Sequence, residues 1–360
     1  MKKVLWVGSH RDLISEVIDV DKYEVTCVDF RLPRLSVLLS PKFILASIRA
    51  IRAFIYKKSC WLLLSYIYYY DADAVFSFFD FNLSIWSLKR FRPDLYVVVY
   101  QIGRRSVEPG QFLNAITTKK SYFSVDEYWC WGSAVKDYLN KRPNIAAKFK
   151  EQGSFRSNRE KINDTDLSKK NEFVWISQLR PCKDKERFIV YNKPIGFDTF
   201  YQAEREVLPI LAEILEGKEC SLSIMAAGVA SLEAEVDFYS EILATDANVF
   251  RPHDESVYAS LDRFPGSFTI NSSLGYEMLG RGKMVGFFDA RFLFTGLMND
   301  TFAQPSDIEA RGSFWTDTLN HSEINRVVEA VVRPTCAIKK SMDEVVRLMC
   351  VRRENEKIIR

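Results

Sequence analysis

The chain has 360 residues, 50 Lys+Arg against 47 Asp+Glu, and is 47% hydrophobic and 27% charged, which excludes a disordered or fibrous polymer. Its length exceeds what one hydrophobic core ordinarily fills, so two domains are expected. A net charge of +3 is too small to mark a nucleic-acid surface, and no nucleic-acid partner is expected.

The seven cysteines, Cys27, Cys60, Cys130, Cys182, Cys220, Cys336 and Cys350, show no zinc-type spacing and read as reduced thiols. Met1-Lys2-Lys3 runs straight into the β-like stretch Val4 to Val7 without the apolar core of a signal peptide, which predicts a cytoplasmic protein. The longest apolar run, Cys60 to Tyr70, falls short of the ~18–20 residues that span a bilayer.

In the first half, β-branched and aromatic runs predict strands at Lys3–Val7, Tyr23–Phe30, Ala74–Phe79, Leu95–Ile102 and Glu127–Trp131. Helical patterns at Ser36–Lys58, Leu83–Arg90 and Ser133–Lys141 lie between them, the last stopping ahead of Pro143. The polar stretch Arg156 to Lys170 predicts a linker. The second half repeats the alternation, with strands at Glu172–Ser177, Ser221–Met225, Asn248–Arg251, Phe268–Asn271 and Met284–Phe288. Helices are expected there at Tyr201–Leu215, Glu233–Leu243, Ser256–Phe264, Leu274–Arg281 and Glu323–Val332, with a last one over Lys340 to Ile359. The predicted organisation is an α/β protein of two Rossmann-like domains, 1–155 and 171–335, joined by a linker at 156–170 and followed by a C-terminal helix within 336–360 that can cross back to the first domain. Ligands of open parallel sheets bind outside the carboxyl ends of the strands, and two such domains predict a cleft.

The most informative segment is Phe268–Asp289, FTINSSLGYEMLGRGKMVGFFD. A strand ends, Ser272, Ser273 and Gly275 follow, and a helix begins, so backbone N–H groups and the positive helix end meet two hydroxyls, which suits a phosphate. Glu277, one turn on, is placed to accept bonds from ribose hydroxyls. A second reading fits equally: a serine caps the helix and Glu277 completes the cap.

NSSLGYEMLGRGK resembles the nucleotide-binding segment of GT-B glycosyltransferases, and more closely that of bacterial surface-carbohydrate, or O-antigen, biosynthesis proteins of that superfamily. YQIGRR at Tyr100–Arg105 resembles a Q-N-G-x-R segment, and DEYWCWG at Asp126–Gly132, EQGSFRSN at Glu151–Asn158 and RGSFWT at Arg311–Thr316 follow in the expected order. Two departures stand out: Ile102 occupies the usual Asn position, and His253 follows Pro252 where relatives carry His before Pro. The resemblance implies a GT-B-like fold with both sheets facing an interdomain cleft. It also implies a metal-independent transferase without a cofactor, taking a nucleotide-sugar donor on the second domain and a glycan or lipid-linked acceptor on the first. Gln101 and Arg104 then fall on the acceptor side.

Such chemistry needs cations or N–H groups at the departing phosphate and an acid–base or nucleophilic group at the anomeric carbon. Arg180 and Lys183, in the loop after the strand at Glu172–Ser177, can supply charge, or are solvated loop cations. His10 and Asp12 in GSHRD follow the first strand, where a glycine turn brings them to the cleft edge; alternatively Asp12 caps a helix. His253 follows a second-domain strand, while Asp254 after it reads equally as a cap and His321 as structural. Glu235 and Asp237, near a helix start, can face the anomeric carbon or simply complement the helix dipole. The D-x-D pattern of Asp71–Asp73 precedes a strand instead of ending one, which argues against a metal role.

Lys42–Lys58 carries Arg49, Arg52, Lys57 and Lys58 among aliphatic and aromatic residues at near-helical spacing and adjoins CWLLLSYIYYY. It suits a peripheral contact with the inner membrane over 42–70. A buried helix whose bases snorkel outward reads equally well.

The leading reading is a glycosyltransferase of bacterial surface-polysaccharide (O-antigen, capsule) assembly, with CMP-, UDP-, GDP- and dTDP-sugars all open as donors, CMP-Kdo among them. A nucleotide-sugar epimerase of the same fold and a non-catalytic glycan- or partner-binding relative are the alternatives. An oxidoreductase is disfavoured because no G-x-G-x-x-G follows the first strand.

Overall fold

The computed structural model describes residues 1–8, 11–29, 35–108, 111–119, 121–162, 169–181, 188–190, 193–253, 255–296 and 302–353. It separates into two compact units: Met1–Arg105 with Gln111–Phe155 and the segment from Arg353, and Ser106–Gly110 with Arg156–Arg352.

The first unit is built on six parallel strands: β1 (Lys2–Val7), β2 (Tyr23–Val28), β3 (Ala74–Ser77), β4 (Tyr96–Tyr100), β5 (Phe123–Cys130) and β6 (Ile145–Glu151), in the order β2-β1-β3-β4-β5-β6. The central strands are buried along nearly their whole length, as expected where helices cover both faces. Trp6, Phe76 and Phe78 pack against one another behind β1 and β3. Strand β6 is absent from the sequence reading; its residues are half-buried and include Lys148 and Lys150, as befits an edge strand that must resist pairing with other chains.

The helix expected over Ser36–Lys58 is broken. Ser40 caps a new helix, accepting from the Phe43 amide, with Pro41 at its first position, so the segment becomes Leu35–Leu38, Pro41–Arg49 and Ile51–Tyr56. The apolar run after it is itself a helix, Lys58–Tyr70, burying Cys60, Leu63, Leu64 and Ile67 at helical spacing. It ends at Asp71, in the left-handed region at φ 55°, and Asp73 then accepts the Lys3 amide at 2.8 Å. Asp71–Asp73 is thus a turn at the amino edge of the sheet, opposite the ligand-binding edge.

The second unit contains β7 (Glu172–Ile176), a small hairpin of β8 (Phe188–Val190) and β9 (Lys193–Ile195), then β10 (Ser221–Met225), β11 (Val249–Phe250), β12 (Gly266–Thr269), β13 (Met284–Phe288) and β14 (Trp315–Thr316). Its main sheet is parallel in the order β11-β10-β7-β12-β13-β14. Leaving out the hairpin, this is the 3-2-1-4-5-6 order of dinucleotide-binding sheets, with the strand order reversing between β7 and β12.

The helices of this unit are set by their caps. Ser231 opens Leu232–Leu243, Ser256 opens Val257–Asp262, Ser272 opens Ser273–Gly280, and Asn320 opens His321–Val332. Thr335 opens the last helix, which runs Cys336–Met349 and packs on Ser273–Gly280 within the second unit; Gly280 lies against the Cys350 carbonyl. Arg353, four residues past that helix, reaches Glu151 of the first unit at 3.9 Å. The six described cysteines form no disulfide.

The predicted linker is only partly unstructured. Its start is the short helix Phe155–Arg159, and the carbonyls of Ser157, Glu160 and Lys161 all accept from Arg281, that of Glu160 from Arg352 as well.

Candidate functional site

The reversal point between β7 and β12 is where a ligand of such a sheet binds. Two loops meet there. After β7 come Ser177, Gln178, Leu179 and Arg180; after β12 come Ile270, Asn271, Ser272 and Ser273. The Asn271 amide donates to Gln178 Oε1 (3.3 Å), and Asn271 Nδ2 donates to Asp289 Oδ1 after β13 (3.2 Å). The three strand ends are thereby tied together at one edge.

Ser272 is the N-cap: its backbone is extended, and its Oγ accepts the Leu274 amide at 3.3 Å. The capping alternative therefore holds for Ser272, whose hydroxyl points into its own helix. Ser273 is the first helical residue and is half-buried. Gly275 has a packing role: a Cβ there would lie 3.0 Å from the Phe287 ring and 3.1 Å from Thr269 Cγ2. The absence of a side chain lets the helix start sit down on β12 and β13, bringing its N–H groups to the sheet edge. Glu277 is buried, and its Oε1 accepts from the Tyr258 hydroxyl at 2.9 Å.

Arg180 is exposed, while its backbone amide donates to the Tyr201 hydroxyl at 2.8 Å, which in turn donates to the Gln178 carbonyl. Burial pushes the Tyr201 hydroxyl up to about 12, so it remains protonated and braces this loop at neutral pH. Lys183 lies outside the described residues.

Glu235 is wholly buried. It accepts from Ser177 Oγ (2.5 Å) and the Ala227 amide (2.9 Å), with Arg251 3.7 Å away and Tyr239 donating to the same Ser177. Burial raises its carboxyl above the usual range, against the hydrogen bonds and the Arg251 charge that oppose the rise. Its oxygens accept from the Ala227 amide in the loop after β10, and so position the backbone of that loop. Asp237, two residues on, lies in the same helix. His253 is exposed beyond the edge strand β11, and His10 and Asp254 lie outside the described residues.

In the first unit, Gln101 is buried and committed to structure. Its Oε1 accepts the Trp131 amide (3.0 Å) and its Nε2 donates to the Gly103 carbonyl (2.8 Å), joining the ends of β4 and β5. Arg104 is half-buried beside it. The neighbouring Arg105 carries the ion pair that sequence reading missed: it binds the fully buried Asp80 after β3, which also accepts from the Tyr128 hydroxyl at 3.0 Å. Asp12 is exposed in a short 3-10 turn, Arg11–Leu13. Among the described residues no group of three His, Cys, Asp or Glu is placed to hold a metal ion.

The model of the family described as "putative O-antigen biosynthesis protein" matches residues 98–360. Among solved structures, the chain is similar to Staphylococcus aureus MnaA in complex with UDP, at 10% identity and a TM-score of 0.52, covering 98% of this chain and 93% of that one. It is similar also to a "putative UDP-N-acetylglucosamine 2-epimerase" of Listeria monocytogenes, at 11% identity and a TM-score of 0.52, with 98% and 93% covered. No curated protein matches it. The fold shared across nearly the whole chain is GT-B, which agrees with the two parallel six-stranded sheets.

Proposed function

Because the chain belongs to this family of O-antigen biosynthesis proteins, we propose that it is a glycosyltransferase. In this reading it takes a nucleotide sugar at the second unit and passes the sugar to a glycan or lipid-linked acceptor in the cytoplasm. The observation that carries the reading is the turn from Asn271 to Glu277: a helix start pressed onto the reversal point of a nucleotide-type sheet, with a carboxylate one turn further on. The fold is also that of a protein solved with UDP.

The helix N-terminus and Ser273 take the phosphates, and Glu277 takes the ribose hydroxyls. Exposed Arg180 meets the charge that develops on the departing phosphate oxygen as the bond to the anomeric carbon breaks. The acceptor oxygen forms the new bond and loses its proton to a base. His253, and His10 with Asp12, are the groups available for that proton. Gln101 and Arg104 shape the acceptor side, Gln101 by holding the backbone of its loop. No metal is needed where a helix dipole and a guanidinium serve the leaving group.

The test is acceptor dependence. Purified protein with its donor should release nucleotide only when a glycan or glycolipid acceptor is added, with sugar appearing on the acceptor. Conversion of the nucleotide sugar to an isomer without any acceptor would establish the epimerase reading in its place.

A further inference from the structure

The three helical pieces Leu35–Leu38, Pro41–Arg49 and Ile51–Tyr56 have their apolar residues turned the wrong way round for a soluble surface. Facing inward at a spacing of three and four are Phe43, Ala46, Ala50 and Ala53, so the buried stripe is mostly alanine. The large aliphatic residues face out: Leu45 is 62% exposed, Ile48 61% and Ile55 86%, with Leu35, Leu39, Ile44, Ile51 and Phe54 exposed beside them. Half of the exposed large hydrophobics among the described residues thus fall within this one short stretch, where scattered single residues would be ordinary.

The same surface is basic. Lys42, Arg49, Arg52, Lys57 and Lys58 are all exposed, and no Asp or Glu occurs between Leu35 and Tyr70. The pieces are held firmly from below by the Lys58–Tyr70 helix. Trp61 Nε1 donates to the Ser47 carbonyl (3.0 Å), Phe43 packs edge-on against Tyr66 and Tyr69, and Lys42 lies 5.2 Å above the Tyr69 ring. That helix is largely buried, so the surface available for contact contracts from 42–70 to 35–58.

We propose that residues 35–58 form a docking surface for an anionic lipid bilayer, with Leu45, Ile48 and Ile55 entering the acyl boundary and the five cations lying among the head groups. Apolar side chains ringed by bases, without an acid, match that surface in both polarity and charge. A second copy of the chain is a poorer occupant, because a two-fold contact would set the five cations against themselves. No helix among the described residues is long and apolar enough to cross a membrane, so the contact is peripheral. The proposal is independent of which sugar chemistry the protein performs.

The test is co-sedimentation of the full chain with vesicles of phosphatidylcholine alone and of phosphatidylcholine with phosphatidylglycerol. Binding is expected to the anionic vesicles, weakening as salt rises. Arg49→Gln with Arg52→Gln should reduce affinity about thirtyfold, from the usual contribution of a basic residue near such a surface. Ile48→Gln with Ile55→Gln should abolish binding, with melting temperature unchanged because both positions are exposed. Equal binding to neutral and anionic vesicles, no binding to either, or variants that bind like the parent would each overturn the proposal. So would a shift from dimer to monomer in the isoleucine variant without any effect on vesicles, which would assign the face to a second copy.

Discussion

The guanidinium of Arg281 lies fully buried against the carboxylate of Asp262, with Nε 3.1 Å from Oδ1 and a terminal nitrogen on Oδ2. Its remaining N–H groups donate to the carbonyls of Ser157, Glu160 and Lys161, and it lies 5.3 Å over the Tyr258 ring, whose hydroxyl binds Glu277. Lys283 adds a bond to the Asp262 carbonyl at 2.9 Å. One arginine thus connects the end of the site helix, the start of the interdomain segment and, through Tyr258, the proposed ribose ligand.

Replacing Arg281 by Met should therefore cost about 3–5 kcal/mol, because it removes the guanidinium from the buried Asp262 carboxylate and takes a donor from each of three carbonyls. Urea unfolding measures this. Arg281→Met combined with Asp262→Asn should recover part of the loss, whereas a loss below about 1 kcal/mol in the single variant would show the pair to be ordinary surface charge.

Gly275→Ala places a methyl group against Phe287 and Thr269, both in strands that cannot easily yield. A loss of about 1–3 kcal/mol is expected from overpacking. Because the helix start must lift, nucleotide affinity should fall along with stability, which calorimetry and unfolding on the same sample would register.

Glu235 supplies a pH signature. Its folded-state pKa is raised by burial, so between the ordinary carboxylate value of 4.5 and that raised value the folded chain holds more protons than the unfolded one. Its contribution to stability is accordingly lost as pH rises through that window. Glu235→Gln removes this term. The parent should lose more stability than the variant between mildly acidic and neutral pH, and parallel stability–pH curves would contradict the assignment.

Asp80→Asn tests the first unit. Arg105 would lose its charged partner in a site where Asp80 is wholly enclosed, so a loss of about 3 kcal/mol or more is expected in unfolding.

The alternation of buried strands and capped helices was legible because it is local: β10 and β13 fall at the expected positions, and Ser231, Ser256 and Ser272 mark their helix starts. Pro41 was the overlooked sign that the helix over 36–58 had to restart, and the spacing of Cys60, Leu63, Leu64 and Ile67 was that of a helix hidden in an aromatic run. Edge strands β6 and β14 were lost because one is rich in lysine and the other is two residues long. At the site, the strand-to-helix turn could be read, yet the division of labour within it could not. Whether Ser272 caps, Gly275 packs or Glu235 holds a loop depends on Phe287, Thr269 and Ser177, which are distant in sequence. Arg281 stood in plain view between two glycines, but its partners lie 19 and more than 100 residues away.

The most direct test of the central claim is a calorimetric titration of the protein with CMP, CDP, UDP, GDP and dTDP, repeated on Ser273→Ala and Glu277→Gln. One nucleotide should bind, and at ~100 times its dissociation constant should add ~2.7 kcal/mol to stability. Each substitution should weaken it by about tenfold or more, the order of a hydrogen bond to a charged group. Binding that is indifferent to both substitutions would move the nucleotide away from the β12 turn, and no binding of any nucleotide would contradict the account outright.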